Sequence, residues 1–294
     1  MIIQPTRRTF VQGSALAAMG ALGACAPSSG DASAPGAGAS EEDPLYITAI
    51  GAQLYTVRAL FEADPQATLA ALAGIGIKDC ETAGLFDHSA SDIRAMMDDL
   101  GLVSRSGHIR LETLRDDREF AAVLEDAALL GQDRLYLGWI APEERGGGQY
   151  RALAALLNRR GEQAKAAGMM VGYHNHEFEF IEEGGTTGYE ILLSQTDPEF
   201  VTMELDLYWV ADAGKDALEI FNSAPDRFSA VHIKDRTPGG DMAPAGDGAI
   251  DFAKVLPDAL AKGVERFYIE HDNPADPLVS VGRSYTHLMA ALPR

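Results

Sequence analysis

The feature that most constrains the fold is an alternation. Between residue 45 and the C-terminus, short β-like runs rich in branched and aromatic residues take turns with helix-like segments, eight times over. The runs are Tyr46–Tyr55, Ile77–Ala83, Leu102–His108, Arg134–Trp139, Met169–Asn175, Val201–Asp206, Ala230–Ile233 and Phe267–Glu270. The segments between and after them are Pro65–Ala73, Ser91–Leu100, Asp117–Leu130, Tyr150–Ala167, Tyr189–Ser194, Asp216–Asn222, Phe252–Leu260 and Ser280–Leu292. Helix starts are marked by Asp64 ahead of Pro65, by Ser91 with Asp92, and by Asp251 before Phe252. Helix ends are marked by Gly74, Gly101, Gly131, Gly168 and Gly263. Residues 45–294 come close to the roughly 250 residues usual for a closed α/β barrel. The pattern therefore predicts a single (β/α)8 TIM barrel rather than an open sheet.

The first 44 residues carry a different signal. Thr6-Arg7-Arg8-Thr9-Phe10-Val11 precedes an apolar, small-residue run from Ala15 to Ala24, which has the form of a twin-arginine export signal over residues 1–24. Leu22-Gly23-Ala24-Cys25 resembles a bacterial lipobox and implies that Cys25 becomes a lipidated N-terminus. Residues 25–44 are mainly Ala, Pro, Ser and Gly and read as a flexible tether. The expectation is an exported, periplasmic, membrane-anchored lipoprotein that meets the membrane only through that lipid. The twin-arginine route carries folded proteins and suits an enzyme loaded with metal before export. With Cys25 in the lipobox, only Cys80 remains, so no intramolecular disulfide is expected, and Cys80 reads as a small buried hydrophobe. A formal charge of −20 repels phosphate backbones and argues against nucleic acid as a partner. Nothing in the pattern bears on a homo-oligomer.

A barrel of this kind places chemistry at the C-terminal ends of its strands. Strand one ends in Gln53-Leu54-Tyr55-Thr56-Val57-Arg58, strand two in Glu81, strand three in His108, and strand five in His174-Asn175-His176. Strands six, seven and eight end in Glu204-Leu205-Asp206-Leu207-Tyr208-Trp209, His232-Ile233-Lys234-Asp235-Arg236 and Glu270-His271-Asp272. Alternation along strand five points His174 and His176 the same way, a pairing suited to metal binding or proton transfer. Lone histidines are usually structural, and His88 and His287, outside this pattern, are read so.

These strand ends, together with Gly172-Tyr173, Gly246-Asp247-Gly248-Ala249-Ile250-Asp251-Phe252 and Tyr268-Ile269, resemble the sugar phosphate isomerase/epimerase family of xylose-isomerase-like barrels. The resemblance implies one divalent metal held from strands five to eight, which here falls on His174, Asp206, His232 and Glu270. Imidazole and carboxylate together suit Mn²⁺, Zn²⁺, Co²⁺ or Fe²⁺ and do not choose among them. Such an ion polarises a sugar carbonyl, acidifies the neighbouring C–H and stabilises an enediolate. In the family's epimerases the strand-five ligand is usually a glutamate that also acts as acid and base. Here the position is His174, which leaves proton transfer to Glu270 or His176. Substrate contacts are assigned to Glu81, His108, Tyr208, Trp209 and Lys234, with Trp209 stacking on a sugar face. Glu204 shares a side with Asp206 and is read as orienting a ligand. Lys234 with Asp235 reads alternatively as a structural ion pair, Trp209 as core, and Gly246-Asp247-Gly248 either as a backbone approach to a ligand or as a plain turn.

Sugar phosphates are intracellular, so an exported member of such a family is expected to act on an unphosphorylated sugar or keto-sugar. The leading expectation is a metal-dependent isomerase or epimerase. Alternatives are a 3-keto-glycoside lyase or hydratase using the same metal, a non-catalytic carbohydrate-binding lipoprotein, and an endonuclease, against which charge and export argue.

Overall fold

The structure, a computed structural model, describes Ile47 and residues 49–292. The export signal, Cys25 and the tether lie outside the described residues. Eight parallel strands form one sheet: β1 (Gly51–Gln53), β2 (Cys80–Glu81), β3 (Ser106–Ile109), β4 (Arg134–Leu137), β5 (Met170–His174), β6 (Val201–Asp206), β7 (Phe228–Ile233) and β8 (Arg266–Ile269). Each strand pairs with its neighbours in sequence, and β8 returns to β1 with Gly51 opposite Tyr268. Between β2 and β3 the ladder thins to parallel bridges at Asp79↔Val103 and Thr82↔Gly107, which close the barrel. One main helix follows each strand: α1 (Pro65–Ile75), α2 (Ala90–Leu100), α3 (Asp117–Leu130), α4 (Gly147–Ala166), α5 (Gly188–Gln195), α6 (Ala217–Ser223), α7 (Phe252–Ala261) and α8 (Pro277–Ala291), with shorter helical segments at Arg58–Ala63, Leu111–Arg115 and Leu207–Asp212. The expected TIM barrel is thus the observed one.

Local chemistry explains most boundaries. The Asp64 side chain accepts from Ala67 N, with Pro65 in the first turn of α1, and Asp251 accepts from Lys254 N at the start of α7. At α2 the cap is Ser89, which accepts from Asp92 N; Ser91, expected in that role, lies inside the helix. Helix α1 runs through Gly74 and stops at Gly76, whose φ of 115° ordinary residues rarely adopt. The first strand is much shorter than Tyr46–Tyr55. After Gln53 the chain tightens into a 3-10 turn over Leu54–Val57, and the Gln53 side chain caps it by accepting from Tyr55 N. Strand β7 starts two residues earlier than expected because Ser229 is extra opposite Met203 and Glu204, a bulge that turns Ser229 towards Tyr136 and Thr202.

The apolar core lies between strands and helices, while the barrel interior has a floor of its own made by Tyr136, Tyr268 and Ala230. Two glycines make room for it. A Cβ on Gly172 would sit 2.4 Å from the Tyr136 ring, and one on Gly51 would sit 2.4 Å from the Tyr268 ring. Cys80 is buried in β2, where desolvation pushes its thiol pKa up. No helix of the described residues is long and apolar enough to cross a membrane.

Candidate metal centre

The strand ends deliver two groups of ligand-type side chains that share one residue. In the upper group, His174, Asp206, His232 and Glu270 place their ligand atoms within 4.8 Å of one another, all buried. His174 Nε2 lies 3.2 Å from Asp206 Oδ2, and His232 Nδ1 lies 3.8 Å from the same oxygen and 2.7 Å from Glu270 Oε2. That last pair is close yet not aligned as a hydrogen bond, since both atoms are without one. Glu270 Oε2 also has Lys234 Nζ at 2.8 Å, so the upper group already draws positive charge.

The lower group is Glu81, His108, Glu204 and His232, with Glu204 two residues before Asp206 on β6 and His108 reaching in from the mouth. His232 Nε2 sits 2.6 Å from Glu81 Oε2 and 3.2 Å from Glu204 Oε1. Glu81 also accepts from Gln53 Nε2 at 2.9 Å and from Ser106 Oγ at 2.6 Å, and His108 Nε2 meets Glu204 Oε2 at 2.7 Å. A ligand imidazole normally gives its second ring N–H to a carboxylate, which fixes its tautomer and aims its lone pair. His232 has that arrangement, with Glu81 behind it and Nδ1 facing the upper group.

The residues therefore fit a divalent transition metal: two imidazoles and two carboxylates with their ligand atoms within 4.8 Å of one another, and a carboxylate behind His232. Burial lowers the His174 pKa to about 4 and holds His176 well below the usual range, so both are neutral near pH 7 with lone pairs available. Burial also works to lower His232, but Glu204, Glu270 and Glu81 outweigh it and hold it well above its ordinary value. This surplus of negative charge is what a dication would relieve. Burial raises Glu81, with Glu204 adding to the rise, whereas His232 and His108 overcome burial at Glu204 and keep it ionised.

Lys234 completes the upper group. Its Nζ is 2.9 Å from Asp206 Oδ2, 2.8 Å from Glu270 Oε2 and 2.8 Å from Asp272 Oδ1. Burial opposes its charge, but the three carboxylates hold its pKa well above normal. The alternative reading of Lys234 as paired with Asp235 does not hold. Asp235 turns away and accepts from the backbone N–H of Arg236, Gly246, Gly248 and Ile250 at 2.8–3.1 Å. The Gly246 and Gly248 donors thus close on the chain's own carboxylate and the Asp247 N–H on Pro244 O, which favours the plain-turn reading over a ligand contact.

Other assigned residues divide by depth. Glu81 is fully buried with both oxygens engaged, so it supports His232 rather than facing substrate. The Tyr208 hydroxyl donates to Gly240 O at 2.8 Å and is likewise spent on structure. His108 is part-exposed at the mouth while braced by Glu204. Trp209 walls the site: its ring centroid is 5.2 Å from that of His176 and 5.6 Å from Lys234 Nζ. His176, 5.0 Å from His174 between ring centroids, has a buried Nδ1 without a hydrogen bond.

Three supporting residues were given no role from the sequence. Gln53 braces Glu81, and Asn175 Oδ1 accepts from Asp206 N at 3.0 Å, tying β5 to β6. Glu179 Oε2 accepts from His176 N at 2.7 Å, and its Oε1 lies 2.5 Å from the Tyr173 hydroxyl. A polar residue at an inward strand position, or a glutamate three residues after His176, was the available signal.

The sequence pattern of the xylose isomerase-like TIM barrel matches residues 66–285. The chain belongs to that family. Among curated relatives of this family member, the inosose dehydratase of Lacticaseibacillus casei is 31% identical over 127 residues, 36% of this chain and 41% of that one. The inosose dehydratase of Clostridium botulinum (strain Alaska E43 / Type E3) is 28% identical over 171 residues, 49% and 56% of the two chains. Both matches span less than two thirds of the relative's length. Among solved structures, a sugar phosphate isomerase/epimerase from Parabacteroides distasonis superposes with a TM-score of 0.73 at 26% identity, covering 86% of this chain and 96% of that one. The 3-keto-D-glucoside 4-epimerase of E. coli shares the fold, with a TM-score of 0.62 at 14% identity over 82% and 98% of the chains. The family is thus one of isomerase, epimerase and dehydratase enzymes.

Proposed function

We propose that this family member is a metal-dependent lyase of the dehydratase type, acting on an unphosphorylated keto-sugar, keto-polyol or keto-glycoside. His174, Asp206, His232 and Glu270 would hold the divalent ion. When bound, the ion supplies Lewis acidity that polarises the substrate carbonyl and acidifies the adjacent C–H. Proton movement belongs to the chain. His176 is neutral, stands beside the ligand set without belonging to it, and has a free buried Nδ1. It takes the proton from the carbon next to the carbonyl, and the C–H electron pair becomes the new C=C bond. The C–O bond at the β-carbon breaks with its electrons on the leaving oxygen, which receives the same proton back from His176. The products are an enone and water or an alcohol, with no net charge change. Lys234 keeps Asp206 and Glu270 ionised and in place, and Trp209 shields the reacting face from water.

The observation that carries this reading is the imidazole at His174. Epimerisation needs proton acceptors on opposite faces of one carbon, and the remaining carboxylate, Glu270, is engaged by Lys234 and His232. Isomerase or epimerase chemistry, first in order from sequence, is therefore the second reading, favoured by the similarity to the Parabacteroides protein. The arginine pair and lipobox support an exported, periplasmic, lipid-anchored enzyme and hence an unphosphorylated substrate. Incubation of metal-loaded protein with a keto-inositol or a 3-keto-glycoside in deuterated water tests the proposal. An enone with release of water or alcohol is expected; a configurational change with deuterium uptake and no elimination would assign the epimerase.

A further inference from the structure

A line of stacked groups leads outward from His176. Its ring lies 5.2 Å from that of Phe178 at an interplanar angle of 10°. The Arg145 guanidinium carbon sits 3.4 Å from the Phe178 centroid and 5.7 Å from that of Trp139, which is 52% exposed. Trp139 follows Gly138, where a Cβ would come within 2.4 Å of His108 Nδ1, so the end of β4 fixes it at the mouth beside the site. Arg145 is held through Nε and Nη2 by Ile140 O, while its Nη1 has no hydrogen bond among the described residues. Across the mouth, the other exposed aromatic ring is closed. Tyr55 lies under Arg58 at 4.0 Å, and that guanidinium is tied to Asp272 O at 2.7 Å and to Asn273 Oδ1 at 2.8 Å. One aromatic platform is therefore covered by a tethered arginine, and the other is open beside an arginine with a donor to spare.

We propose that Trp139 and Arg145 form a subsite for the leaving-group half of the substrate, a second sugar ring or an aryl group attached through the β-oxygen. This rests on the elimination reading in placing the reacting carbon beside His176. The C–H face of a sugar and the face of an aryl ring both stack on indole, and a guanidinium donor suits a ring or hydroxyl oxygen. A departing hydroxide alone would not reach either residue. The site then selects glycosides over free keto-sugars.

Calorimetry on the metal-loaded full chain, with 4-nitrophenyl β-D-glucoside and methyl β-D-glucoside, tests this without turnover, since neither probe carries a ketone. The aryl probe should bind at least about tenfold tighter, and Trp139→Ala or Arg145→Met should bring the ratio within about twofold of one at unchanged metal content. A wild-type ratio near one, or a ratio preserved in Trp139→Ala, would overturn the subsite. So would a Trp139→Ala protein that loses a dimer while keeping the ratio, because the surface would then belong to a second copy. Turnover of 4-nitrophenyl 3-keto-β-D-glucoside is read separately: no elimination with the aryl preference intact removes the reaction and leaves the subsite standing.

Discussion

The two groups meeting at His232 contain nearly the same residue types, yet the structure treats them differently. In the lower group the donors and acceptors are matched: Glu81 receives Gln53, Ser106 and His232, and Glu204 receives His108. Glu204 Oε1 alone lacks a hydrogen bond there, and it lies 3.2 Å from His232 Nε2. In the upper group His174 Nδ1 and His232 Nδ1 are buried without one, and Glu270 Oε2 has only the ion pairs to Lys234 and His232. Residue type marks both groups as able to hold a cation, and hydrogen-bond satisfaction separates them. The lower group braces His232, and the upper group is the one that could hold the cation.

The most severe way to break that comparison is to remove the shared residue. His232→Ala should abolish metal binding, lower activity by about a thousandfold or more, and cost roughly 3–5 kcal/mol of stability because Glu81, Glu204 and Glu270 lose a common partner. Metal stoichiometry, turnover and thermal unfolding read the three effects. Next comes a contrast between the groups. Glu270→Gln, in the upper group, should lose most bound metal, whereas Glu81→Gln, in the lower group, should weaken metal affinity only about 10–100-fold. Equal losses in competition titrations would erase the distinction. His176→Ala removes no member of either group and should cut turnover roughly 10²–10⁴-fold with metal affinity kept.

The smallest effect concerns Glu179, a buried carboxyl outside both groups whose pKa burial raises to about 8. In the unfolded chain a glutamate loses its proton near about pH 4.3. Between those values the folded state holds the extra proton, so this contribution is fully present below the lower one and is lost as pH rises towards the upper. The melting temperature should fall over that window, and Glu179→Gln should flatten the fall with or without metal.

Much of this was legible in sequence because strand ends are. Alternating runs gave the barrel, and His174, Asp206, His232 and Glu270 each lie at or within one residue of a strand's end, so topology brings them to one mouth. Membership of the two groups was not legible. Glu81 also closes a strand, but its register opposite Gln53 sets it behind His232, and nothing local in the sequence encodes that register. Loop closure was equally hidden: Asp235 finds its partners 11 and 13 residues on, at Gly246 and Gly248, rather than in adjacent Lys234. The short first strand was overextended because apolar residues before Gly51 look the same whether they pair or not.

The most direct measurement is anomalous diffraction from crystals of the protein loaded with Mn²⁺ or Zn²⁺. The account predicts one strong peak bounded by His174, Asp206, His232 Nδ1 and Glu270, with Glu81 still on His232 Nε2. A peak between Glu81, His108 and Glu204, or no peak at either group, would contradict it.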